Sequence, residues 1–104
     1  MSLYCEVKIS AENQAQADAI LNSLLEKKLV TGGQFLQAPA RFLWKGKVTD
    51  MDYVNILTYT NDARKTAVMV DVRRTTQEEV PMMTFTVPDD INQELRDWID
   101  QTLA

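Results

Sequence analysis

Between Lys47 and Thr60 the chain has no glycine or proline and is rich in β-branched and aromatic residues. Val54, Ile56 and Thr58 fall on one side of a period-two pattern, and Tyr53, Asn55, Leu57 and Tyr59 on the other. That pattern is a strand, and few small domains can accommodate one so long. Upstream, Lys45-Gly46 is a turn signal, and Gln34-Phe35-Leu36 and Arg41-Phe42-Leu43-Trp44 have strand composition. Residues 34–60 are therefore expected to form one long β-hairpin. Pro39 puts the middle of its first arm at a sheet edge or bulge, because proline cannot donate to the ladder.

The remaining segments set the fold class. Leu3, Cys5, Val7 and Ile9 alternate with Tyr4, Glu6 and Lys8, giving a half-buried strand over residues 3–9. Ser10 is the expected N-cap of a helix with Glu12 in its first turn, where the helix dipole favours an acid. Ala17, Ile20, Leu21, Leu24, Leu25 and Lys28 trace its apolar face, and the helix is expected to end by Lys28. Asn61-Asp62 reads as a second cap. The run from Ala63 to Arg74 suits a helix with Ala63, Ala67 and Val70 facing inward, although Ala67–Val72 taken alone resembles a strand. Helix is preferred because strand–helix–strand order then repeats. Val80–Val87 reads as a strand with Met83, Phe85 and Val87 on one face. Pro88-Asp89-Asp90 then caps a last amphipathic helix carrying Ile91, Leu95, Trp98, Ile99 and Thr102. The order is βαββαβ plus a C-terminal helix: an α+β, ferredoxin-like sandwich, one domain over residues 1–104. The alternating apolar residues of the long hairpin imply that the sheet face away from the helices is covered by other copies of the chain.

Composition narrows the function. There is no histidine, which removes Ser-His-Asp and Cys-His nucleophiles and imidazole-based zinc sites. A single cysteine, Cys5, makes no internal disulfide and no thiolate cage, and fits a reducing cytoplasm. Met1-Ser2-Leu3-Tyr4 has neither the basic nor the apolar region of a secretion signal. No stretch approaches the length of a membrane span, and a net charge of −4 without a basic cluster speaks against nucleic acid. What remains is oxygen-ligand metal binding or carboxylate chemistry, and no constellation for general acid–base catalysis is visible. A divalent cation is the one cofactor left open.

Taken together, the residues resemble the CutA family of divalent-cation-tolerance proteins over nearly the whole chain. The carriers are Leu24-Leu25-Glu26-Lys27-Lys28-Leu29, the turn Trp44-Lys45-Gly46-Lys47-Val48, the strand end Leu57-Thr58-Tyr59-Thr60, the step Glu79-Val80-Pro81, and Leu95-Arg96-Asp97-Trp98-Ile99. The resemblance implies a ferredoxin-like domain in a tight homotrimer, assembled like the PII signalling proteins. It also implies a non-enzymatic role in divalent metal, notably copper, tolerance. Several positions depart from the family. Where it has Leu-Ala-Ala-Cys-Val-Asn, this chain reads Leu29-Val30-Thr31-Gly32-Gly33-Gln34. The His-Pro-Tyr-Glu box reads Thr76-Gln77-Glu78-Glu79, and Ile9 stands where some members carry a metal-binding cysteine. The family's soft-metal ligands are thus largely missing.

The candidate residues follow. Asp50 and Asp52 share a strand face, and with Glu78 and Glu79 they are the oxygen donors for a cation. Charged strand edges and solvated surface are the plainer reading of both pairs. Gln34, Trp44, Lys47 and Trp98 are candidates for a ligand cleft or subunit interface, the two indoles foremost as packing anchors. A PII-like sensor binding a metabolite between subunits is the competing function. Arg41, Lys45, Lys47 and Arg73-Arg74 supply little positive charge for it.

Overall fold

The computed structural model describes residues 3–104, so Met1 and Ser2, read above as part of a chain start without a leader, lie outside the described residues. The strands are β1 (Tyr4–Ala11), β2 (Gly33–Trp44), β3 (Lys47–Asn61) and β4 (Met83–Thr86), and the helices α1 (Gln14–Glu26), α2 (Lys65–Thr75) and α3 (Gln93–Leu103). The sheet order is β2-β3-β1-β4, with every neighbouring pair antiparallel. This is the expected ferredoxin-like α+β architecture with its C-terminal helix.

The hairpin forms because Lys45 and Gly46 both adopt positive φ (50° and 80°), the twist-matching geometry of a two-residue turn. From Trp44↔Lys47 the register runs unbroken to Gly33↔Thr58. Pro39 lies on the edge strand β2 without a bulge. β1 joins β3 only from Val54 onward, so the hairpin beyond that point overhangs the rest of the sheet. The core lies on one face, where Val7, Ile9, Val54 and Ile56 meet Ala17, Ile20, Leu21 and Leu24 of α1 and Val68 and Val72 of α2. Each fully buried aliphatic there contributes about 2 kcal/mol.

Four expectations are corrected. First, Ser10 is not a helix cap. β1 continues through it, because Ser10 and Ala11 pair with Asn55 and Val54. The cap is Asn13, whose side-chain oxygen accepts the Gln16 N–H at 2.9 Å. Second, α1 ends by Lys28 as expected, but Lys28 lies beyond the helix and not on its apolar face. Lys28 has φ 53°, and the Leu29 and Lys28 amides donate to the Leu24 and Leu25 carbonyls, a Schellman closure. Third, the inward residues of α2 are Val68, Asp71 and Val72, while Ala63, Ala67 and Val70 are exposed. The phase is rotated by a buried acid: Asp71 accepts from Lys27 Nζ at 2.5 Å and from the Ser23 hydroxyl at 2.8 Å on α1. Fourth, β4 is only four residues long. Pro81 has no amide hydrogen, and the Met82 amide donates to the Ser10 hydroxyl instead of the ladder.

The face of the sheet away from α1 and α2 is also less apolar than expected. Leu57, Tyr59 and Tyr53 share it with Glu6, Lys8, Gln34, Asn55, Thr84 and Thr86. α3 reaches this side. The Tyr4 hydroxyl donates to Asp100 at 2.8 Å, and the Arg96 guanidinium lies 5.6 Å from the Tyr4 ring centroid. On α3, Ile99 and Leu103 are buried, whereas Trp98 remains 45% exposed. Trp98 is therefore not part of the core.

Candidate functional site

The sequence candidates fall into three places. Gln34 and Trp98 come together. They line a depression of about 510 Å³ on the outer sheet face, floored by Glu6 and Lys8 of β1, Tyr59 of β3 and Thr84 and Thr86 of β4. Its lining carries one acid and one base and no group set up as a nucleophile.

Asp50 and Asp52 share a face of the overhanging hairpin, as their spacing requires, together with Pro39 and Arg41. Arg41 stands directly across the ladder from Asp50 and holds it with Nε 2.7 Å from Oδ1. That contact neutralises one of the two carboxylates and leaves a poor seat for a cation.

Trp44, Glu78 and Glu79 meet in a third concavity, of about 310 Å³, between the outer face of the hairpin and residues 77–80. Phe42, Trp44, Met51 and Tyr53 form its apolar wall, and Glu12, Glu78 and Glu79 bring three carboxylates to it. Phe42 and Tyr53 touch edge to face, with centroids 5.8 Å apart. Glu78 accepts a hydrogen bond from the Ser10 hydroxyl at 3.0 Å. Burial pushes the Glu78 carboxyl above its usual range; the Ser10 bond opposes this, and the charge of Glu12 adds to it. Burial first, then the negative charges of Glu78 and Glu12, likewise pushes the Tyr53 phenol up. Lys45 at the hairpin turn lays its Nζ 5.3 Å from the Trp44 ring centroid and 3.4 Å from Glu79 Oε2. Lys47 lies opposite Trp44 in the ladder and is exposed.

Among the described residues no three His, Cys, Asp or Glu side chains are placed to hold a metal ion. The four acidic candidates divide between the second and third places, and the buried Cys5 joins neither. No helix among the described residues is long and apolar enough to cross a membrane. Sequence reasoning missed Phe42, Tyr53, Glu12 and Ser10 as partners of the third place. The outward parity of Phe42 with Trp44, and of Met51 with Tyr53, was the signal that could have found half of it.

The sequence model of the CutA1 divalent ion tolerance protein family matches residues 5–102. No curated protein matches the chain. Among solved structures, CutA from Archaeoglobus fulgidus, described as a periplasmic divalent cation tolerance protein, superposes with a TM-score of 0.93 at 24% identity, covering 98% of this chain and 100% of its own. CutA1 of Ehrlichia chaffeensis, described as a divalent ion tolerance protein, gives 0.92 at 16% identity, covering 100% of this chain and 98% of its own. CutA1 of Oryza sativa gives 0.90 at 16% identity, covering 96% and 93%. At these identities the likeness in structure speaks for the fold, and the match over nearly the whole sequence speaks for descent: the chain belongs to the CutA1 divalent ion tolerance protein family.

Proposed function

We propose that this chain is a non-enzymatic, cytoplasmic homotrimer of the CutA type, serving divalent metal (copper) tolerance. The observation that carries the reading is the family match from Cys5 to Thr102. The surface supports assembly. On the overhanging hairpin Leu43 is 74% exposed and Val48 69% exposed, and Leu36 on the outer face is 49% exposed. Apolar side chains concentrated on one projecting element are what neighbouring copies cover. Absence of a histidine and burial of the one thiol leave oxygen donors for any ion. With the acidic pairs apart in one protomer, such an ion would draw its donors from two protomers.

The second reading is a PII-like sensor of a small ligand. It is favoured by one observation: Gln34 and Trp98, far apart in sequence, line the same depression.

Thermal unfolding with excess Cu²⁺, Zn²⁺, Mn²⁺ or Mg²⁺, and separately with nucleotides, tests both. A specific ligand at a hundred times its Kd adds about 2.7 kcal/mol by mass action. Stabilisation by a divalent ion, reversed by chelation, is the expected result. No shift with any of the four ions overturns the ion role, and a shift with a nucleotide alone favours the sensor.

A further inference from the structure

We draw no further inference here: the strongest candidate, the exposed surface patch of Met69, Val70, Arg73 and Arg74 on the solvent side of α2, carries nothing because nothing in the structure shows what covers it.

Discussion

The Ser10 hydroxyl donates to the Glu78 carboxylate at 3.0 Å, joining the end of β1 to the segment that follows α2. The same oxygen accepts the Met82 amide at 3.0 Å, so one hydroxyl fixes both the start of β4 and the orientation of Glu78. Glu78 is held there with a raised pKa, chiefly by burial. A carboxyl that binds its proton more tightly when folded gives stability that is fully present below the ordinary glutamate range. That contribution is lost as pH rises through the raised value. Glu78→Gln keeps an acceptor for Ser10 and cannot ionise. Its melting temperature relative to the parent should rise between about pH 4.5 and neutrality. Parallel pH profiles for the two proteins would contradict this.

Lys28 closes α1 in the left-handed region, which a side chain adopts at a cost of about 1 kcal/mol. Lys28→Gly should raise the midpoint of guanidinium unfolding by the equivalent of about 0.5–1 kcal/mol, part of the gain being offset by a freer unfolded chain. Lys28→Ala relieves no strain and should give no such gain. Equal effects of the two substitutions would contradict the closure described.

Gly33 and Gly46 are required for different reasons. A Cβ on Gly33 would come 1.7 Å from the Leu57 carbonyl oxygen, a backbone atom of the paired strand. One on Gly46 would meet nothing within 4 Å but would be strained by φ +80°. Gly33→Ala should therefore cost about 3 kcal/mol and Gly46→Ala about 1 kcal/mol, measured by denaturant unfolding at one protomer concentration. The reverse order would contradict the register at the base of the hairpin.

Cys5 is fully buried, and burial pushes its thiol pKa up. In the folded protein it should react with an aromatic disulfide reagent about a hundredfold more slowly than a free thiol. Reactivity should return on denaturation. Fast labelling of the native protein would show that the β1 face is not covered as described.

The elements with an uninterrupted period were legible in the sequence. The hairpin shows its period of two and α1 its period of 3.6, because their inward positions are filled by aliphatic residues such as Val54, Ile56, Ile20 and Leu24. Where polar side chains act inside, the pattern misled. Asp71, buried against Lys27 and Ser23, turned α2 away from its apparent face. Ser10, a strong capping residue by type, is used in a strand to hold Glu78 and Met82. Only the aromatic wall of the third concavity had a local signature, the outward parity of Phe42 with Trp44 and of Met51 with Tyr53; its acidic side had none. The concavity joins Glu12, the hairpin tip and residues 77–80, which meet only because β1 ends where the hairpin overhangs it.

We propose that this CutA1-type chain assembles through the apolar side chains of its projecting hairpin, and sedimentation equilibrium at micromolar protomer concentration decides it. A mass three times the 11.9 kDa of one chain is the predicted result. A species that stays at the mass of a single chain as concentration rises would contradict it.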